Sequence, residues 1–156
     1  MILSTEIMDS MITRLRPTRS EVADISKAIS DGIDCLILTG ETSFGPNWKE
    51  ATEYMSRICF EAEQNQNYEV KYNIKQSILL EKGETMSIEE SMSNGAVSAS
   101  YMLGAKLIIL FSNTGEQAIT VAKFSPQCPV LAVLSSESFS KNVLLHSGIF
   151  YMTVGS

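Results

Sequence analysis

Thr18-Arg19-Ser20-Glu21-Val22-Ala23-Asp24-Ile25-Ser26-Lys27-Ala28-Ile29-Ser30-Asp31-Gly32-Ile33-Asp34-Cys35-Leu36-Ile37-Leu38-Thr39-Gly40 is the stretch that decides the fold. Thr18 and Glu21 stand three apart, the spacing of a capping box, and so predict a helix start. Val22, Ile25, Ala28 and Ile29 then fall on one helical face, and Asp31-Gly32 ends the periodicity. The run from Asp34 to Gly40 is too brief for a helix, is apolar and is flanked by glycines, which predicts a buried parallel strand. Met1-Ile2-Leu3 reads as the end of a similar strand, so the order is strand, helix, strand.

Working outward, Trp48, Ala51, Met55, Ile58, Cys59 and Ala62 recur at three- and four-residue spacing, predicting a second long helix from Asn47 to about Gln64. Residues 65–86 are polar at both ends and are expected to form a connecting segment with a short amphipathic helix, between regions 1–64 and 87–156. Ser87-Ile88-Glu89-Glu90 is a second capping box and opens a helix to about Leu103. Strands are expected at Leu107–Phe111, Val130–Leu134 and Ile149–Val154, with helices at Gly115–Phe124 and Ser136–His146 between them. Helices joined by short loops to apolar strands mean crossover units and a parallel sheet, so the predicted class is α/β throughout.

The 156 residues carry 18 acids against 12 Lys and Arg, a formal charge of −6. A net negative surface repels phosphate backbones, and the sparse Arg14, Arg16 and Arg19 do not offset it, so no nucleic-acid partner is expected. No apolar run approaches the ~20 residues of a membrane span, and Glu6 and Asp9 stand where a secretory signal carries bases; a cytoplasmic location and no membrane partner are expected. Cys35, Cys59 and Cys128 are odd in number and set among apolar residues, as reduced core thiols are. With a single histidine, His146, and no CxxC, Cys/His zinc sites are excluded and no metal ligand is assigned. His146 is read as a residue near a helix C-terminus, where a partly charged imidazole suits the dipole.

In α/β folds ligands bind beyond the carboxyl ends of the strands, which directs attention to Ser4-Thr5-Glu6, Thr39-Gly40-Glu41-Thr42, Ser112-Asn113-Thr114-Gly115 and Ser135-Ser136. Hydroxyl-rich loops feeding helix N-termini can hold phosphate through free N–H groups, although Ser and Thr are also the usual caps.

The wording of these loops is specific. Met8-Asp9-Ser10-Met11, then Arg16-Pro17-Thr18-Arg19-Ser20-Glu21-Val22 with Asp24, then Asp31-Gly32-x-Asp34-Cys35-x-x-Leu38-x-Gly40-Glu41-Thr42, resemble the end of the catalytic barrel of pyruvate kinases. Glu50-Ala51, Glu61-Ala62-Glu63, Gly95-Ala96-Val97-x-Ala99-Ser100, Ser112-Asn113-Thr114-Gly115, Phe124-x-Pro126, Pro129-Val130-x-Ala132-Val133 and Gly148-Ile149-Phe150 extend the resemblance into the family's C-terminal domain. It implies the last two βα units of a TIM-type barrel, out of eight in about 250 residues, followed by a truncated three-layer parallel-sheet domain.

The resemblance also implies phosphoryl transfer from phosphoenolpyruvate to ADP, giving pyruvate and ATP in glycolysis, with Mg and K as cofactors. Positioning and charge neutralisation supply most of the catalysis of such a transfer. The family's phosphoryl-facing lysine, its metal ligands, its potassium ligands and its lid domain all lie upstream of the resemblance. Within it, Thr5 matches a threonine on the substrate side of the barrel mouth. Glu6 stands where the family has an amide and adds negative charge beside an anionic substrate.

Glu41 and Thr42 match a loop expected to hold the barrel end together by hydrogen bonds. Arg16 and Arg19 match a string expected to bridge loops or subunits. Ser112, Asn113, Thr114 and Gly115 match the segment that cradles an effector phosphate in regulated members. Here Glu116 and Gln117 stand where those members commonly carry Arg and Ser, and Glu116 competes with an incoming phosphate.

Three readings follow: a pyruvate kinase family chain silent by itself; a non-catalytic or regulatory relative that self-associates or assembles with full-length pyruvate kinase; and a small anion-binding α/β module over residues 87–156.

Overall fold

The computed structural model describes residues 1–4, 6–83 and 85–154. The backbone divides into two units, Met1–Gln66 and a second beginning at Asn67.

The first unit runs β1 (Ile2–Ser4), a 3-10 turn at Asp9–Ile12, α1 (Arg19–Ser30), β2 (Cys35–Ile37), α2 (Gly40–Ser43) and α3 (Trp48–Gln64). The capping box is formed: Thr18 is extended, its hydroxyl accepts from the Glu21 N–H, and the Glu21 carboxylate accepts from the Thr18 N–H. β1 and β2 pair in parallel, Leu3 opposite Leu36. Helices α1 and α3 pack together over Met8, Met11, Ile25, Ile29, Ala51, Met55 and Ile58. Each large side chain so buried contributes roughly 1.5–3 kcal/mol. The second strand is shorter than the apolar run predicts, because Gly40 already starts α2.

The second unit runs α4 (Tyr68–Lys82), α5 (Ile88–Leu103), β3 (Ile108–Ser112), α6 (Glu116–Lys123), β4 (Val130–Leu134), α7 (Ser140–Val143) and β5 (Ile149–Thr153). Its three strands lie in the order β3-β4-β5, all parallel. On one face Ile108, Leu110, Val130, Ala132, Leu134, Ile149 and Tyr151 meet Val97 of α5, Ala118 and Val121 of α6, Phe124 and Val143. On the other, Ile109, Phe111, Phe150 and Met152 are exposed.

The helix expected to be short within 65–86 runs for 15 residues and contributes Tyr72 and Leu79 to this core. Asn94 of α5 ties it down: its Oδ1 accepts from Tyr72 Oη at 3.0 Å and from Gln76 Nε2 at 2.5 Å, and its Nδ2 donates to Gln76 Oε1 at 3.1 Å. The Tyr72 and Tyr101 rings lie 5.2 Å apart, tilted at 41°.

The helix expected over Ser136–His146 is instead a 3-10 turn at Glu137–Phe139 followed by the four-residue α7. Serines compete for the backbone there. Ser136 Oγ accepts from Ser138 N, and Ser140 Oγ donates to Glu137 O, bonds that favour tight turns over a continuous helix. His146 is half-buried beyond α7, its N–H bonded to Val143 O in a tightened last turn.

Candidate functional site

In the first unit, parallel strands β1 and β2 bring two loops to the same end. The loop after β2 turns directly into α2, and this places Glu41, one residue into that helix, almost wholly out of solvent, 1% exposed. Its Oε1 accepts from Met8 N at 2.8 Å and its Oε2 from Thr39 N at 2.9 Å. Burial works to raise its pKa. The N–H groups of Met8, Glu41 itself and Thr39 outweigh burial and the nearby Glu21 charge, and hold the carboxyl below its ordinary value. One carboxylate thus laces the loop after β1 to the loop after β2, across 33 positions of sequence.

A second carboxylate extends the lacing. Glu21 accepts from Ser10 N at 2.8 Å, from Ser10 Oγ at 2.5 Å, and from Thr18 N and Oγ1, both at 2.7 Å. Desolvation opposes its ionisation, but the Ser10 hydroxyl, the Ser10 and Thr18 N–H groups and the Thr18 hydroxyl lower its pKa to about 2. Asn47 Nδ2 adds a third tie, donating to the carbonyls of Met11 and Arg14 at 3.3 and 3.2 Å.

The sequence signal for Glu21 was its place in a capping box. Its reach to Ser10, eleven residues upstream, has no periodic signature.

Of the other residues singled out from the sequence, Thr5 lies outside the described residues. Glu6 is exposed with φ at 51°, a left-handed conformation uncommon for a side chain of this kind. Thr42 is exposed, and its hydroxyl donates to Thr39 O at 3.3 Å. Arg16 and Arg19 are both exposed. Neither forms an ion pair among the described residues. Among the described residues no three His, Cys, Asp or Glu side chains converge to hold a metal ion. Glu21 and Glu41 are both occupied by donors of the chain itself, so these residues do not fit the divalent ion that the resemblance implies.

In the second unit, the loop between β3 and α6 borders a cavity of about 620 Å³ lined by Phe111, Ser112, Thr114, Glu116, Val133 and Val154 among others. The Gly115 N–H, which the sequence offers to an anion, donates to Ser112 Oγ at 2.8 Å, while the Ser112 hydroxyl donates to Gln117 Oε1. Thr114 Oγ1 accepts from Glu116 N at 3.5 Å. Ser112 and Gly115 are buried; Asn113, Thr114 and Glu116 are exposed. Gly115 has φ at +85°, and a Cβ there would meet Val143 Cγ2 at 2.3 Å, so only glycine fits. The loop is closed on itself by its own hydroxyl and amides, and the charge it presents is the Glu116 carboxylate.

Comparison with known proteins covers both units. Residues 1–52 match the pyruvate kinase barrel domain family and residues 90–156 the pyruvate kinase alpha/beta domain family. The pyruvate kinase of Leishmania mexicana is 36% identical over 148 residues, 95% of this chain and 29% of that protein. That of Dictyostelium discoideum is 36% identical over 155 residues, 99% of this chain and 31% of the relative. A crystal structure of a pyruvate kinase from Cryptosporidium parvum superposes with a TM-score of 0.93 at 30% identity, covering 99% of this chain and 31% of that one. A second structure of the Cryptosporidium parvum enzyme, in complex with ADP, gives a TM-score of 0.86. The chain therefore spans about three tenths of the length of the relatives it matches.

Proposed function

Since the chain belongs to the pyruvate kinase family, we propose that it serves phosphoryl transfer from phosphoenolpyruvate to ADP as a barrel-end and α/β-domain component, and that the 156 residues by themselves do not turn over. The superposition on a Cryptosporidium parvum pyruvate kinase, over 99% of this chain and 31% of that one, supports the family part of this reading. Catalysis of phosphoryl transfer rests on cations and donors that neutralise the migrating charge. The described residues around β1 and β2 offer the opposite: two ionised carboxylates, already saturated by N–H and O–H donors. Glu41 fixes the loop Ile7–Ser10 beside the loop Leu38–Glu41 and Glu21 ties Ser10 to Thr18, which is positioning and not bond-making.

Mg and K belong, on this reading, to parts of a complete family member that these residues do not supply. No helix is long and apolar enough to cross a membrane, and a cytoplasmic setting, as for the cytosolic isozyme of Glycine max, is part of the proposal.

The test is lactate dehydrogenase-coupled release of pyruvate from phosphoenolpyruvate and ADP with Mg and K, using the purified chain. No rate above the protein-free blank is expected. Turnover that scales with protein concentration overturns the proposal.

A second reading is favoured by one observation. Among the described residues β1 pairs only with β2, and Ile2, Leu3 and Ile37 are exposed. Parallel strands are ordinarily buried on both faces, so this edge calls for more sheet. On this reading the chain acts as a non-catalytic partner that completes itself on a second copy or a full-length pyruvate kinase. Co-purification with a longer pyruvate kinase from source cells supports it, and recovery as a lone monomer refutes it.

A further inference from the structure

The turn from Ser112 to Gln117 joins β3 to α6 and has the make-up of an anion cradle, with two hydroxyls and a glycine running into the N-terminus of an eight-residue helix. The fold fills that cradle from within. The Gly115 N–H donates to Ser112 Oγ at 2.8 Å, and the Glu116 N–H donates to Thr114 Oγ1 at 3.5 Å. A serine hydroxyl has one proton to give, and Ser112, 9% exposed, gives it to Gln117 Oε1 in the first turn of α6. The backbone of the turn is firmly seated. Ser112 stands opposite Leu134 at the end of β3, and a Cβ on Gly115 would meet Val143 Cγ2 at 2.3 Å and Leu134 Cδ2 at 3.6 Å. Gln117, by contrast, is exposed, so the part of this arrangement that is free to swing away is its side chain.

We propose that Gln117 is an internal stand-in for an anion: its amide oxygen takes the one proton that Ser112 can offer, and so latches the turn against phosphate and carboxylate groups. An incoming phosphate meets Ser112 with its proton already committed and must displace Gln117 before the hydroxyl can serve it. The displaced hydrogen bond weakens phosphate binding by roughly two- to tenfold. Glu116, the one charged side chain between Ser112 and Gln117, adds repulsion of the same sign at the helix start. The two act differently, since the Glu116 charge repels any anion nearby whereas the Gln117 amide closes one hydroxyl. Every residue of the latch lies in the second unit, so it operates independently of the phosphoryl-transfer reading above.

The probe is inorganic phosphate, added to the full chain and compared with chloride at equal ionic strength, with the Thr114 and Gly115 amides followed by NMR. In the wild-type chain neither amide is expected to shift beyond its response to chloride. Glu116→Gln lifts the repulsion. In that background Gln117→Met, which keeps the bulk of the side chain and removes its acceptor oxygen, is expected to tighten phosphate binding by roughly two- to tenfold. Gln117→Ala is expected to do the same. Ser112→Ala should cancel the gain, and Ser112→Thr, which keeps the hydroxyl, should retain it.

A phosphate-specific shift of the wild-type Gly115 amide overturns the proposal, because the turn is then already open. Equal affinity of the Glu116→Gln chain with and without Gln117→Met overturns it too, and so does the absence of binding in both, since nothing was then being kept out. A gain from Gln117→Ala that Gln117→Met lacks has the same consequence: bulk, and not the hydrogen bond, then closes the turn. Circular dichroism checks that each variant keeps the fold, and if Ser112→Ala does not, the comparison of Gln117→Met with Gln117→Ala decides.

Discussion

Replacing Glu21 by Gln removes one charge and rearranges one carboxylate that gathers four donors, from the N–H and hydroxyl of Ser10 and of Thr18. A carboxyl held at about 2 in place of 4.5 has its ionised form favoured by about 3 kcal/mol at face value, and solvent access to this partly exposed group reduces that to roughly 1–2 kcal/mol. Because the folded pKa is the lower one, this stability is fully present above the unfolded value near 4.5 and is lost as pH falls through about 2. Glu21→Gln is therefore expected to cost roughly 1–2 kcal/mol at pH 7, or about 5–10 °C in melting temperature for a unit of this size.

The deficit should shrink steadily below pH 4.5, where the wild-type carboxylate is itself giving way. Urea titrations followed by the fluorescence of Trp48, the chain's one tryptophan and a residue of the first unit, read the loss where it occurs. A cost below ~0.5 kcal/mol at neutral pH, or one that stays constant between neutral and acid pH, refutes the reasoning. Glu21 would then be an ordinary cap and not a charged clasp.

Glu41→Gln keeps the shape but leaves one buried acceptor site occupied by a donor facing the Met8 or Thr39 N–H, and should cost roughly 2–3 kcal/mol. Hydrogen exchange should show the Met8 and Thr39 amides losing protection ahead of the rest of the unit. Gly115→Ala combines a positive φ with a Cβ at 2.3 Å from Val143 Cγ2 and should destabilise the chain by roughly 2–4 kcal/mol in thermal melts; retention of the wild-type melting temperature contradicts the geometry. Tyr101, whose hydroxyl donates to Ser125 O at 2.7 Å, is pushed up to about 12, first by burial and then by the neighbouring Cys128, Glu69, Tyr68 and Tyr72. Its stabilisation is present below pH ~10 and lost as pH rises through about 12. Absorbance at the tyrosinate band should show the last of the tyrosines ionising only as the chain unfolds, and Tyr101→Phe should remove that step at a cost of about 1 kcal/mol.

What could be read from the chain alone is what depends on neighbours in sequence. The two capping boxes, Thr18 with Glu21 and Ser87 with Glu90, are both formed, since three-residue spacing fixes their geometry. The apolar runs at Cys35–Ile37, Ile108–Ser112, Val130–Leu134 and Ile149–Thr153 are strands because they are too short and too apolar to be anything else between turns. The helix expected up to His146 gave way to turns because the side chains of Ser136 and Ser140 bond nearby backbone groups, and an apolar period says nothing of that contest.

The clasp of Glu41 on Met8 was legible only as a kind of role, holding a loop. Its partner lies 33 positions away, in a loop whose sequence has no mark of being an acceptor's target. In the same way Ser112 reads as a hydroxyl open to a ligand until the fold turns the Gly115 N–H back onto it.

The linkage of Asn94 to Tyr72 and Gln76 gives the pair α4 and α5 a mechanical property. Two helices meeting through apolar side chains alone can ratchet past each other by one turn, about 5.4 Å, and find comparable packing at the next stop. Here such a step would break three side-chain hydrogen bonds, in which one amide oxygen serves two donors and one amide nitrogen serves one acceptor. The contact has a detent.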